Sequence, residues 1–214
     1  MSRLPLFSVL MPSFQRAGFV ERAVRSVRAQ TCADWELLIA DDGSTDDTAS
    51  RLVALSRDEP RLRWWRHPNQ GQALARNGLI AHARGRWITF LDSDDAMAPE
   101  HLALRAEAIA RAPDLQLILA PMQVIGDEHV RCRYGAEAPV HIDDCLAVGM
   151  LCVRADVLRA AGGFPISAYG EDAELIEALS SAGLRTQQLE TRTYLYHRDH
   201  SGGLTARHSL QSCA

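Results

Sequence analysis

Residues 35–46 read Trp35-Glu36-Leu37-Leu38-Ile39-Ala40-Asp41-Asp42-Gly43-Ser44-Thr45-Asp46, an apolar run broken at once by acidic and small residues. An apolar run of this length, closed by Asp, Gly and Ser, has the form of a strand buried on both faces and ended by a turn. The same form recurs outward along the chain, at residues 7–11 before Pro12, at 62–66, and at 87–91 before Asp92. Between these runs the apolar period changes. Residues 19–30 carry Phe19, Val20, Ala23, Val24 and Val27 at helical spacing, residues 47–56 read as a helix with Asp46 or Asp47 as its N-cap, and 72–82 as another. Strand and helix thus alternate as β-α-β-α-β-α-β. That order predicts an α/β fold, a three-layer sandwich with a mostly parallel central sheet under helices.

The second half is less regular. A helix over 100–111 stops at Pro113, and strands are predicted at 115–120 and 151–154, with an edge strand at 128–133. Residues 134–149 read as loop. Short and longer helices follow at 155–161 and 171–182, the latter with Gly183 placed to cap it. From Tyr194 the chain is rich in His, Arg and Gly and shows no period. At 214 residues one domain is expected, with a first half over 1–95, a second over 96–193 and a tail or lid over 194–214.

The net charge of −4 argues against a nucleic-acid-binding footprint. The five cysteines, Cys32, Cys132, Cys145, Cys152 and Cys213, are odd in number and contain no C-x-x-C pair, so buried reduced thiols in a reducing, cytoplasmic setting are expected. The apolar run between Pro5 and Pro12 is too short for a signal sequence, and no stretch approaches a membrane span. Peripheral contact with a membrane stays open.

Ligands of open α/β sheets bind beyond the carboxyl ends of the strands. Two acidic clusters fall there, 41–47 and Asp92-Ser93-Asp94-Asp95. Carboxylates about 5 Å apart repel by about 3 kcal/mol at an effective dielectric near 20. A divalent cation relieves that repulsion and takes the oxygens as hard ligands, completing its shell with substrate phosphates. The competing reading of the second cluster is a solvated turn in which Asp94 or Asp95 caps a helix. The first cluster reads either as a turn or as a hydrogen-bond acceptor for a nucleoside.

These segments, in this order, resemble GT-A fold, family 2 glycosyltransferases. Residues 8–16, Ser-Val-Leu-Met-Pro-Ser-Phe-Gln-Arg, resemble the family's opening strand and its P-[ST]-[YF]-N-R ending. Residues 35–46 resemble W-E-L-I-I-V-D-D-G-S-T-D, and Asn69-Gln70-Gly71 with Ala75-Arg76-Asn77 resemble N-x-G…A-R-N. Phe90-Leu91-Asp92-Ser93-Asp94-Asp95 resembles the D-x-D motif, and Gly162-Gly163-Phe164 with Gly170-Glu171-Asp172 resembles G-G-F…E-D. The resemblance implies a metal-dependent, inverting transfer of a sugar from a nucleotide-diphosphate donor, with uridine the family's commonest base, to a carbohydrate or other hydroxyl acceptor. It implies that Pro12, Phe14, Arg16 and Asp42 line the nucleotide pocket and that Arg76 lies near the base or diphosphate. Asp92 and Ser93 would face the ribose and sugar, Asp94 would hold Mn²⁺ or Mg²⁺ with Asp95 in support, and Asp172 would be the general base with Glu171 beside it. The tail resembles Y-R-x-H-x-G-S-L-S, which makes His200 a candidate metal ligand and His197 a weaker one. Arg198 or Arg207 could meet the leaving diphosphate, with Gly202-Gly203 permitting the bend of a lid.

One check on Asp172 is independent of the family. It precedes Leu175, Ile176 and Leu179 by three, four and seven residues and so shares their helix face, whereas Glu174 and Glu177 do not. A carboxylate there is either a reactive group or a structural N-terminal charge favoured by the helix dipole. Three features depart from the family pattern. Gln15 stands where Asn is commoner, Glu177 stands near the family's usual Arg, and 121–149 matches no family segment. Two other functions remain to be distinguished. A sugar nucleotidyltransferase would release pyrophosphate, but its Gly-rich basic loop is absent from the N-terminal region; a nucleotide-sugar-binding module would bind without transfer. No G-x-G-x-x-G follows the first strand, which argues against a dinucleotide-dependent dehydrogenase.

Overall fold

The computed structural model describes residues 3–130, 140–167 and 170–199. The first half follows the expected alternation: β1 (Phe7–Ser13), α1 (Val20–Arg28), β2 (Trp35–Asp41), α2 (Thr48–Arg57), β3 (Leu62–Arg66), α3 (Gln72–His82) and β4 (Trp87–Phe90). After it come β5 (Ala96–Met97), α4 (His101–Arg111), β6 (Leu117–Leu119), β7 (Met122–Gly126), β8 (His129–Val130) and β9 (Val140–His141). Two 3-10 turns, Ile142–Asp144 and Val148–Met150, lead into β10 (Leu151–Arg154) and α5 (Ala155–Ala160). The described chain closes with α6 (Glu171–Ser181), β11 (Thr186–Gln188) and β12 (Tyr194–Arg198).

The main sheet has the order β11-β6-β10-β4-β1-β2-β3. All its pairings are parallel except those of β10 with β4 and with β6. Side chains alternate between its faces, as a two-residue period requires. Val9, Met11, Leu37 and Ile39 join a core under α1, α2 and α4, whereas Leu10, Leu38 and Ala40 join another under α3, α5 and α6. Both faces are therefore covered, which is why the strands read as unbroken apolar runs. The chain moves from β1 through β2 to β3, then returns to lay β4 on the other side of β1. In open α/β sheets ligands bind at such a reversal.

Five strands were not expected, among them β9, which lies in the stretch 134–149 read as loop. β5 and β11 are too short to carry a period. β7 and β12 pair in parallel within a small sheet of order β5-β12-β7. β12 reads Tyr-Leu-Tyr-His-Arg, and only Tyr194 in it is fully buried, so alternation does not mark it. The described part of the predicted 128–133 strand is β8, paired with β9. Asp47 makes no side-chain cap on α2; Asp46 Oδ1 takes the Thr48 N–H at 3.0 Å instead. Cys152 is buried, but Cys32 and Cys145 are only half-buried, a correction to the expectation of uniformly buried thiols. Cys32 and Cys145 pack against the edge of the core from surface segments. Cys132 and Cys213 lie outside the described residues.

Candidate active site

The ends of β1 and β2 are tied together by Gln15. Its side chain donates to Thr45 Oγ1 at 2.8 Å and accepts the N–H groups of Thr45 and Asp46 at 3.0 Å each, while its backbone N–H donates to Ser44 Oγ at 2.9 Å. Gln15 has φ +55°, the left-handed region where Asn is better tolerated, and these bonds hold it there. Asp41 Oδ1 accepts the Ser44 N–H at 3.1 Å across the turn at Gly43. Asp42 is buried, and its two carboxylate oxygens accept the N–H groups of Gln70 and Gly71 at 2.8 and 3.0 Å. Asp42 thus positions the entrance to α3. Ser13 Oγ and Asp41 Oδ2, at the ends of β1 and β2, are buried polar atoms without a hydrogen-bond partner among the described residues. Pro12 is buried inside β1, while Phe14 just past it is 38% exposed.

Arg76, on α3, is the junction of the site. It is fully buried, donating to Asp92 Oδ1 at 2.9 Å and to Glu171 Oε1 at 3.4 Å, with its guanidinium 5.1 Å from the centre of the Phe164 ring. Burial acts to lower its pKa, but the charges of Asp92, Asp172 and Glu171 outweigh burial and raise it. The next residue, Asn77, clamps the backbone of Phe164, accepting its N–H at 2.8 Å and donating to its carbonyl at 2.9 Å. Gly163, at φ +77°, is required there, because a Cβ would lie 2.4 Å from Asn77 Oδ1. The A-R-N and G-G-F segments, almost ninety residues apart, are therefore one contact. Asn77 had no role in the sequence reading; the signal was its adjacency to Arg76.

The acidic turn follows β4. Helix capping does not explain it, because Asp95 leads into β5 and the N-cap residue of α4 is Glu100. Asp94 Oδ2 lies 3.2 Å from Arg16 Nε, and its carbonyl accepts from Arg22. Asp95 is buried and its pKa stands well above the carboxylate range, first through burial and then through the charges of Asp92 and Asp94. Ser93 is also buried. On α6, Gly170 adopts the left-handed conformation before the first turn, and Asp172 Oδ2 accepts the Val148 N–H at 3.3 Å. Glu171 points to α3, accepting from Gln72 as well as Arg76.

Several of the expected residues are linked by direct contacts. Asp42 holds the loop that begins α3, Arg76 on α3 joins Asp92 to Glu171, and Asp94 reaches Arg16 at the end of β1. Asp92 and Asp94, with side chains 32% and 16% exposed, fit a hard divalent ion that takes one or two carboxylates and completes its shell with phosphate oxygens. Among the described residues no group of three or more His, Cys, Asp or Glu could form an all-protein cage. His200, Arg207, Gly202 and Gly203 lie outside the described residues. His197 donates its backbone N–H to Asp95 Oδ1, and its ring meets Asp199.

Comparison with known proteins gives the same outline. The model of the family described as "Glycosyl transferase family 2" matches residues 8–135. Chondroitin synthase of Escherichia coli is 31% identical over 152 residues, 71% of this chain and 22% of that protein. The match spans from 11% to 41% of the length of chondroitin synthase of Pasteurella multocida and of the putative teichuronic acid biosynthesis glycosyltransferase TuaG of Bacillus subtilis. Among solved structures, S. aureus TarS 1-349 in complex with UDP-GlcNAc superposes with a TM-score of 0.76 at 22% identity, covering 94% of this chain and 60% of that one. Mannosyltransferase PcManGT from Pyrobaculum calidifontis, in complex with GDP-Man and Mn²⁺, gives 0.74 at 16% identity, covering 98% and 61%. The family match ends before α6, so the fold alone places Glu171 and Asp172 against the matched half. The chain belongs to glycosyl transferase family 2 and has the GT-A glycosyltransferase fold.

Proposed function

We propose that this chain transfers a sugar from a UDP-linked donor to a hydroxyl acceptor, with inversion at the anomeric carbon and with help from Mn²⁺ or Mg²⁺. The observation that carries the proposal is the Arg76 junction. One buried guanidinium joins the acidic turn to the Glu171-Asp172 segment, so the two sets of carboxylates are held against a single cationic group.

In this reading Ser13 Oγ, which has no hydrogen-bond partner among the described residues, and Asp41 Oδ2, 3.6 Å from Arg66 Nε, face the nucleoside, and Asp42 shapes its pocket through the 69–71 loop. Asp92 and Asp94 would hold the cation, which when bound supplies positive charge to the departing diphosphate. Arg16 stands beside Asp94 and adds a second positive charge near that position. Asp172 takes the proton of the acceptor hydroxyl as the new bond forms. Glu171, engaged with Arg76 and Gln72, orients rather than reacts. Holding both substrates in line supplies much of the acceleration. The free thiols support a reducing, cytoplasmic setting, and no described helix is long and apolar enough to cross a membrane.

The test is a thermal-shift panel of nucleoside diphosphates and nucleotide sugars with and without Mn²⁺, followed by product analysis of any donor that binds. UDP and a UDP-sugar should raise the melting temperature, more so with Mn²⁺. Release of UDP with an inverted linkage is the expected product. Pyrophosphate release, or no shift with any nucleotide, would defeat the proposal.

A further inference from the structure

Tyr194, the first residue of β12, is 1% exposed. Its hydroxyl donates to Asp95 Oδ2 at 2.7 Å and accepts the Asp92 backbone N–H at 3.0 Å. One oxygen atom thus ties both ends of the 92–95 turn. The other Asp95 oxygen accepts the His197 N–H at 2.8 Å, so β12 engages both oxygens of that carboxyl. The ring has little room to move. A Cβ on Gly149 would lie 2.7 Å from two of its carbons, and the His101 ring packs 6.4 Å away, centre to centre. The preceding residue, Thr193, is held by His101 Nδ1 at 2.9 Å and by Arg105 Nη1 at 3.4 Å.

We propose that Tyr194 is a positioning residue for donor binding, whose hydroxyl fixes the turn in the form that presents Asp92 and Asp94 to a cation-bound diphosphate. This rests on the metal-assisted reading above. Two carboxylates that share a cation must be held close against their own repulsion before the cation arrives. Arg76 restrains the Asp92 side chain from α3, and Tyr194 restrains its backbone from the opposite direction. Asp95, with both oxygens engaged by β12, acts through this brace. The Tyr194 hydroxyl itself touches no substrate.

Tyr194→Phe keeps the ring and removes the hydroxyl, leaving the Asp92 N–H and Asp95 Oδ2 without their partner. The measurement is the Mn²⁺ concentration that half-saturates UDP binding, read by calorimetry on the full chain, beside UDP affinity without metal. The variant should need about tenfold more Mn²⁺, the upper end of the factor expected from losing one buried hydrogen bond, with metal-free UDP affinity changed less than twofold. Leu158→Val is the control, because α5 follows the end of β10 that lies at the opposite rim. It should lower the melting temperature without moving the Mn²⁺ requirement. Equal shifts in both variants, or none in Tyr194→Phe, overturn the inference. If UDP binding by the unaltered protein ignores Mn²⁺, the metal-assisted reading itself fails and takes this inference with it. Should Tyr194→Phe not fold, Gly149→Ala displaces the ring while retaining the hydroxyl. An unchanged Mn²⁺ requirement there would also overturn the inference.

Discussion

Arg16 Nε lies 3.2 Å from Asp94 Oδ2, with both side chains largely buried. The end of β1 thereby neutralises a carboxylate that follows β4, across the point where strand order reverses. In the proposed function the same carboxylate binds a cation, so Arg16 and the metal share one ligand. The diphosphate is what would let both positive charges coexist.

Arg16→Ala should therefore move two affinities in opposite directions. Bare Mn²⁺ should bind about tenfold tighter, because a like charge beside the ligand is gone, a gain of ~1.4 kcal/mol. UDP should bind more weakly in the same variant, since a guanidinium suited to phosphate is lost. Calorimetric titration with each ligand decides it. If both affinities fall together, Arg16 is a scaffold for the β1 turn and not a partner of the diphosphate.

Arg76 supplies a second prediction, about stability. Arg76→Ala strands Asp92 and Glu171 beside each other with no cation between them, and breaking a buried pair in this way costs about 3–5 kcal/mol. Asp92 is one-third exposed, which places the expected loss at the lower end. Arg76→Lys keeps the charge but lacks the planar fork that spans both acids, so roughly half the loss should remain. Urea denaturation measures both. Adding Glu171→Gln to Arg76→Ala should recover part of the loss, and a strictly additive double variant would show that the two residues do not communicate.

The sequence made the central strands of the main sheet legible because they are buried on both faces and their apolar runs have no competing period; the edge strand β11, exposed at both its ends, escaped. β10 falls at the predicted limits for that reason, and β3 and α3 do so as well, although β3 is only half-buried and α3 is marked by its helical period. The second sheet was not legible. β12 presents one buried residue, and its partner β7 ends in a Gly126 whose Cβ would meet the Arg198 backbone at 2.9 Å, a fit that only the folded chain displays. At the site, residue types and order pointed to the acids but not to their neighbours. Asp42 was expected to face a nucleoside, and its oxygens hold the loop before α3. The pairing of Arg16 with Asp94, and of Tyr194 with Asp95, depends on side chains meeting across long stretches of chain, which no local pattern encodes.

Stability should also fall on mild acidification through His101. Burial first, and the Arg105 charge second, hold its pKa well below its ordinary 6.5. The unfolded chain accepts a proton that the folded one refuses, so this contribution is full above about pH 6.5 and declines as pH falls toward the folded pKa. Glu59, whose pKa is lowered chiefly by the hydrogen bond from Arg61, loses its contribution only further down, below its ordinary 4.5. Asp95, with its raised pKa, acts in the opposite sense, so the His101 step is read as the difference in urea midpoint from a His101→Gln variant, flat above neutrality and changing from about pH 6.5 downward, with the drop below about 4.5 common to both. A difference that stays flat below about pH 6.5 would assign the step to another group.

Asp172 and Glu171 are adjacent in sequence and differ in what they touch, which separates their roles in an assay. Glu171 is occupied by Gln72 and Arg76, whereas Asp172 accepts the backbone N–H groups of Val148 and Ala173. A carboxylate held by weak backbone donors keeps lone pairs for an incoming hydroxyl. Asp172→Asn removes the proton acceptor while preserving shape, and transfer should fall by about 10²–10⁴ with the UDP thermal shift unchanged. Glu171→Gln weakens one side of the Arg76 junction, so it should lower stability and donor affinity together and slow transfer far less. Initial rates at saturating donor, taken with melting temperatures for each variant, resolve the two. If Asp172→Asn transfers at the normal rate, or if Glu171→Gln is the more impaired in rate at saturating donor, the proton goes to a different group.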